Sequence, residues 1–521
     1  MKIKKLIPLM AGLFLTTTFA AESKVPQTKD PIKLYQLPGF FRFSFDNVKM
    51  PNNIPNMGFV GINYFAELNS FIYFGAGAYG AVTGSQGGFF SLGVESGLHH
   101  SIINRLWGDA GVFVGGGGGR SSLVGGGLMV RPHVGLQYNF DWVRLGVHYS
   151  YITFPDGGIH SSQVGVDLDI PYDFNYVRFT DVGNSLYTFK DILLPKDQFL
   201  TSQRNDFSLL VQAYIQKQGT LNLNKEVQDG TIGLVGAELD HYLTQNIFWS
   251  IKSAGAFAGM PNGYMDVLAG VGYRLPFSSY GLAVVPQFFA GAGGGGNADT
   301  GGGILLQPQV GFDVPLTNSF AARLNGGYIW SPKGQIKAAT VTGMLIYHLD
   351  IASATNQYTK PISGLFQAKG WRVQILNQTY VRPVRAYSNK VNSSVNLVAV
   401  QIDQLFNPYF FFSYQGASAY SGDHTGGLAT GMIGPGLQTG RFYKERMDLF
   451  GSVLIGAGGG GGLALGGGAI VSPIAGFHYA FTPDIGLQAS YGWLKALHHN
   501  LSTGVVNVGI TFSFGMLEKN N

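Results

Sequence analysis

Few residues in this chain are equipped for chemistry. His498, His499 and Ser502 stand together in "LHHNLSTG", where an imidazole could take the serine proton if a third group held the ring in place. That would be the machinery of a lipid hydrolase. Two stretches of similar sequence carry His160, Ser161 and Ser162, or Lys337, Ala338 and Ala339, at the corresponding places, so the pattern is not kept. The pair His99 and His100 has no counterpart elsewhere. Glycine runs such as "GAGGGGNADTGGG" at 291 suggest a phosphate cradle. The Gly-Lys-Ser/Thr that such a loop needs follows none of them. With no cysteine, thiol chemistry and Cys-based metal sites are excluded. No carboxylate pair, His/Asp metal spacing, nucleotide fingerprint or basic-aromatic stripe stands out. The chain reads as non-enzymatic, with no cofactor.

The first residues say where the chain works. "MKIKKLIPLMAGLFLTTTFAAES" sets three lysines before a short apolar run, with Thr18, Phe19 and Ala20 offering a cleavage site. That is the layout of a secretory signal peptide over 1–20, too short for a membrane span; the alternative is a structural N-terminal helix. Three of the five net positive charges fall in this segment. The near-neutral remainder gives no electrostatic reason to expect nucleic acid. Charged residues make up only 12% of the chain and aromatics 13%, against a usual charged share of about 25%. Part of the surface is therefore expected to face something other than water. The length, 521 residues, suits three or so domains.

The glycine run occurs three times: "GGGGGRSSLVGGGLMVRPHVGLQYNF" from 115, "GAGGGGNADTGGGILLQPQVGFDVPL" from 291 and "GAGGGGGLALGGGAIVSPIAGFHYAF" from 456. Gly125, Gly301 and Gly466 align without gaps, as do Pro132, Pro308 and Pro473. Similarity extends on both sides, so the sequence reads as three internal repeats. Expected boundaries are an N-terminal periplasmic segment at 21–40, repeats at 41–170, 207–350 and 370–515, linkers at 171–206 and 351–369, and a tail at 516–521.

Within each repeat the period is two. Leu128, Val130, Pro132, Val134, Leu136, Tyr138 and Phe140 alternate with Met129, Arg131, His133, Gly135, Gln137 and Asn139, which describes strands with one apolar and one polar face. About eight such segments fit in each repeat. Those of the second are expected near 207–217, 231–243, 247–259, 265–276, 281–293, 302–314, 320–330 and 338–349. Tight turns ("LNS", "TQN", "FNP", "NFDW", "LTNS", "FTPD") alternate with longer loops, as in the wall of a transmembrane barrel. Aromatics sit where a membrane-interface girdle would lie: Phe140 and Phe481 at the tight-turn end, Tyr151, Tyr328, Trp330, Tyr491 and Trp493 at the loop end. The glycine run is then the top of a hairpin, and its proline is expected to mark a β-bulge. The uncharged run from Leu449 to Val471, nearly half glycine, is a hairpin too rather than a membrane helix.

The last alternating segment, "VVNVGITFSFG", resembles the final strand of Gram-negative outer-membrane β-barrel proteins, whose closing aromatic (here Phe514) is read by the barrel-assembly machinery. It departs from that pattern because "GMLEKNN" follows Phe514. The resemblance implies an all-β transmembrane antiparallel barrel in the outer membrane, with lipid and the assembly machinery as partners. An exported chain with an apolar outer face satisfies its backbone in lipid as a closed barrel. The alternative, a secreted array of β-sandwiches, would need those faces to pack on one another.

One ring of about 24 strands and three rings of eight both fit. The small polar-face residues of the third repeat, among them Ser472, Gly476, Ser490, Gly492 and Gly509, favour the single wide ring, narrowly, because they are too small to fill a narrow one unless its strands coil tightly. The leading functional expectation is a channel for polar solutes or an extended polymer. Its lumen-facing candidates are Arg131, His133, Arg144, His148, Asp167, Asp169, Gln307, Gln309 and Arg323, which would equally serve as a neutralising network in a closed barrel. The alternatives are a structural or adhesive envelope protein made of tandem small closed barrels and, behind it, the hydrolase.

Overall fold

The computed structural model describes residues 30–119, 121–259, 263–356, 364–386, 388 and 390–520; the expected signal peptide at 1–20 and Arg120 lie outside them. From Ile32 onward the chain forms one compact unit.

Alternation becomes strand because one face can be buried while the other is not. Along one strand, Val164, Val166 and Ile170 are 70%, 54% and 42% exposed, whereas Gln163, Asp167 and Asp169 between them are 7%, 5% and 0%. The polar side is therefore the inside. Eight strands follow in order: β1 (Gly39–Val48), β2 (Met57–Glu67), β3 (Ile72–Ala81), β4 (Phe90–Ile103), β5 (Leu106–Gly118), β6 (Leu128–Asn139), β7 (Arg144–Thr153) and β8 (His160–Pro171). Each pairs antiparallel with the next, and β8 returns to β1 from Val166↔Phe45 to Pro171↔Phe40, closing a ring.

The next eight are β9 (Phe199–Gln216), β10 (Thr231–Tyr242), β11 (Ile247–Ala258), β12 (Met265–Tyr273), β13 (Ala283–Gly294), β14 (Ile304–Pro315), β15 (Phe320–Trp330) and β16 (Lys337–Thr355). Their ends meet in a ladder of β9 on β16 running from Phe199↔Thr355 to Gln216↔Ala338. The last eight are β17 (Leu365–Val381), β18 (Val395–Leu405), β19 (Phe410–Ser421), β20 (Ala429–Gln438), β21 (Met447–Gly459), β22 (Ala469–Ala480), β23 (Ile485–Ala496) and β24 (Ser502–Asn520). Here β17 pairs with β24 from Leu365↔Asn520 to Val381↔Gly504.

The expected single ring of about 24 strands is thus not formed, because the chain returns on itself after every eighth strand. Between the second and third rings the ladder is a single pair, Ile351↔Glu518. The narrow third ring accommodates its small polar-face residues for two physical reasons. Large residues from the first half of the third ring, including Arg372, Gln374, Tyr380 and Phe411, point inward and are buried. The inward glycines bring strands close: a Cβ on Gly509 would lie 2.1 Å from the Ile375 carbonyl oxygen, and one on Gly492 2.3 Å from that of Pro473.

Three further expectations change. Residues 199–206, 351–355, 365–369 and 516–520 belong to β9, β16, β17 and β24 rather than to linkers or a tail. Part of the remaining connector is ordered as short ladders, Ile32–Lys33 on Ile192–Leu193, Tyr35–Leu37 on Phe174–Tyr176 and Leu186–Thr188 on Leu365–Gln367. The prolines mark no bulge. Pairing is interrupted at Arg131 and Pro132, at Gln307 and Pro308 and at Ser472 and Pro473, then resumes in unchanged register (Val130↔Thr153 and His133↔Ser150, for example). Losing the proline N–H breaks the ladder locally without inserting a residue. Register shifts occur instead beside Gly233, beside Asn396 and between Ser101 and Ile103.

Candidate functional site: ring interiors and the seams between rings

The nine lumen-facing candidates are all buried, and the structure adds partners that sequence reasoning did not single out. In the first ring, Arg42 grips two carboxylates. Its Nε and Nη2 donate to Asp169 at 2.8 Å each, and Nη1 and Nη2 donate to Asp109 at 2.9 and 3.0 Å. His133 Nε2 lies 2.8 Å from Asp109. One layer up, Arg131 Nε donates to Asp46 at 2.9 Å, and His148 bridges Asp46 and Asp167 at 2.9 and 2.7 Å. Arg144 lies apart from both groups, at the tight-turn end with His99 and Glu67. The missed residues had a signal: Arg42, Ser44 and Asp46 alternate with Phe41, Phe43 and Phe45.

The second ring is plugged differently. Lys252 Nζ donates to Gln307 at 2.6 Å, Gln307 to Gln309 at 3.1 Å, Gln309 to Gln287 at 2.7 Å and Gln287 to Glu238 at 2.8 Å. Arg323 binds Asp313 through Nε and Asp240 through Nη1. In the third ring, Gln374 and Ser413 donate to Asp403 at 2.6 and 2.7 Å, Arg372 sits beside it, and His478 Nδ1 lies 2.6 Å from Asp448. Apolar side chains complete the filling toward the loop end, with clusters around Phe59 and Phe113, around Tyr214 and Phe289, and around Leu397 and Leu454. Eight strands leave an interior that side chains can fill, and here they do.

The repeated glycines do something the sequence did not show: they join the rings. Gly125, Gly301 and Gly466 adopt φ of +57°, +57° and +61°, and Gly127, Gly303 and Gly468 adopt +100°, +103° and +97°, a left-handed region that favours glycine. Each hairpin top leans on the β3, β11 or β19 end of another ring. A Cβ on Gly303 would lie 2.2 Å from the Ala81 carbonyl oxygen, one on Gly468 2.2 Å from that of Ala256, and one on Gly127 2.4 Å from that of Ala419. Further down, Gly80 faces Ala292, Gly255 faces Ala457 and Gly116 faces Ser418. The same contact recurs three times, from ring two to ring one, ring one to ring three and ring three to ring two. This is the head-to-tail closure of a three-member cycle. Backbone bonds cross two of the seams: Gly87 N donates to Gly301 O at 3.0 Å, and Gly426 N and Gly427 N donate to Gly125 O and Gly117 O at 2.9 and 3.0 Å. A side chain at Gly127, Gly303 or Gly468 would collide with a carbonyl across the seam, which is why glycine is required there.

Where the rings meet lies a cavity of about 1110 Å³, reached by residues of all three. Among the girdle candidates, Phe140, Tyr151, Tyr328, Phe481, Tyr491 and Trp493 are exposed on outer faces and Trp330 is half-buried. Phe514 differs. It is half-buried against Phe174, with ring centroids 5.0 Å apart, and β24 continues six residues beyond it because β17 extends alongside. The hydrolase candidates are not assembled. Ser502 Oγ accepts a hydrogen bond from Trp493 Nε1 at 2.8 Å, and His499 lies over Gly466. Among the described residues no group of three or more His, Asp or Glu is placed to hold a metal.

No protein-family model matches the chain, and no curated protein does. Solved structures that resemble it include Gram-negative outer-membrane β-barrel proteins. The outer-membrane protein OpdK of Pseudomonas aeruginosa is 7% identical over 92% of this chain and 98% of its own, with a TM-score of 0.21. The siderophore receptor PirA of Acinetobacter baumannii is 7% identical over 94% and 81%, with a TM-score of 0.27. A de novo designed transmembrane β-barrel is 15% identical over 28% of this chain and 94% of its own, with a TM-score of 0.19. Scores at this level do not establish a common fold, and the case for a membrane barrel stands on the chain's own closures and faces.

Proposed function

We propose that the chain is an integral outer-membrane protein of a Gram-negative cell, non-enzymatic, in which three copies of a small closed barrel act as one membrane-embedded structural unit. The membrane reading is supported by the polarity of the rings. Their insides hold ion pairs, and their outsides present rows such as Val134, Leu136 and Tyr138 or Leu145, Val147 and Tyr149, all exposed. Water would not favour that arrangement, whereas lipid requires it and also requires closed ladders. Insertion would proceed through the barrel-assembly machinery, with β24 as the closing strand.

The structural reading is carried by the filling of the interiors. Arg42, Arg131 and Arg323 are fully buried and held by carboxylates, so a polar solute crossing a ring would have to displace paired charges. The longer loops are tied to the rings, as a structural unit would require. Residues 217–230 fold back onto the second ring's glycine hairpin, with Leu223 N donating to Asn297 O, and Ala386 N does the same with Gly462 O in the third. Conductance across planar bilayers tests this reading. Sealed membranes over a wide voltage range are expected, and steady openings of porin size would restore the channel reading.

A further inference from the structure

We propose that the cavity enclosed by the three rings is a binding site for the acyl chains of a lipid. The inference rests on the membrane reading and adds a ligand to it. The cavity walls combine glycine-rich loops with outward-facing strand residues, among them Leu92, Val235, Val267, Val400, Ile402 and Ile455, drawn from every ring. No lysine, arginine, aspartate or glutamate lines it among the described residues. At the loop end the glycine hairpins meet the β3–β4 and β11–β12 connections of neighbouring rings, main chain against main chain: a Cβ on Gly88 would lie 2.5 Å from Gly295 N, and one on Gly263 2.4 Å from the Gly459 Cα. Main chain from neighbouring rings is thus closely apposed at this end.

These features select the occupant. Ligand pockets commonly span about 300–1,000 Å³, so a space of about 1110 Å³ has room for acyl chains. An ion would find no charged side chain to hold it, and the wall, though Ser253, Asn224, Asn297 and Gln415 contribute to it, is more apolar than polar. A hydrocarbon chain matches the wall and is the solvent already present on the other outer faces.

Native mass spectrometry of the mature protein tests the proposal. The protein is reconstituted into vesicles of phosphatidylethanolamine with phosphatidylglycerol, or of lipid A, and extracted in mild detergent. The wild type is expected to keep at least one lipid per chain in one of the two arms, which identifies the source. Val267→Trp with Ile455→Trp, which fills the space, is expected to retain at least tenfold less, and Leu92→Trp serves as a second filling variant. Val166→Trp, on an outer face, is expected to hold lipid like the wild type. Heat-modifiable migration on gels shows which variants are folded. A folded wild type free of lipid in both arms, or folded filling variants that hold as much as wild type, would overturn the proposal while leaving the membrane reading standing. A wild type that stays in aqueous solution without detergent would overturn the membrane reading, and this proposal with it.

Discussion

Replacing Gly303 with alanine isolates the role of the glycine hairpins. Gly303 has φ of +103°, a conformation that costs a non-glycine residue roughly 1–3 kcal/mol. Its added methyl would stand 2.2 Å from the Ala81 carbonyl oxygen across the seam. That neighbour is backbone, so the rings themselves must move apart, an overpacking cost of roughly 1–3 kcal/mol more. The expected destabilisation is about 2–6 kcal/mol in total. Gly127→Ala and Gly468→Ala, with φ of +100° and +97° and carbonyl oxygens at 2.4 and 2.2 Å, should behave alike. The controls are Gly326→Ala and Gly343→Ala, where an added Cβ meets nothing within 4 Å and φ lies outside the left-handed region. These should be neutral or stabilise by up to about 1 kcal/mol. Urea unfolding in detergent, followed by tryptophan fluorescence, gives the ranking. If the three seam variants unfold at the same urea concentration as the two controls, the seams do not hold the rings together and the reasoning fails.

Arg42→Met leaves Asp109 and Asp169 buried without their cation and should cost about 3–5 kcal/mol, with Arg42→Met, Asp109→Asn, Asp169→Asn recovering much of it in the same unfolding assay. Val166→Arg places a charge on the outer face of β8. If lipid wets that face the variant loses about 2–4 kcal/mol, whereas in water a surface change of this kind stays within about 0.5 kcal/mol; refolding into vesicles distinguishes the two. Purified wild-type protein should show no lipid hydrolysis above background, and an activity that is lost on both His499→Ala and Ser502→Ala would assign a catalytic pair.

Strand positions were legible because alternation reports directly on which side is buried. The expected segments 231–243, 247–259 and 320–330 differ from β10, β11 and β15 by no more than one residue at either end. Strand partnership was not legible, since closure after the eighth strand depends on how tightly the ring coils and on what fills it. The polar face of β22 to β24 looked too small for a narrow ring, and the residues that fill it, such as Arg372 and Gln374, come from β17 at the far end of the repeat in sequence. The interior pairs were half legible: Arg131 and Asp169 lie on inward faces, but their partners Asp46 and Arg42 stand 85 and 127 residues away, beyond any local pattern. Glycine in threefold repetition signalled a hairpin. That the hairpins serve neighbouring rings depends on three-dimensional placement alone.

The claim on which the rest depends is that each group of eight strands closes on itself, and the absence of native cysteine allows a clean test. Paired cysteines at Phe45 and Val166, or at Ile375 and Ile510, occupy directly opposed positions in the ladders that close the first and third rings. Efficient disulfide formation by both pairs in membranes, with none between Phe45 and Ile510, is the expected result. Cross-linking of Phe45 to Ile510, which would join the first strand to the last, would contradict it.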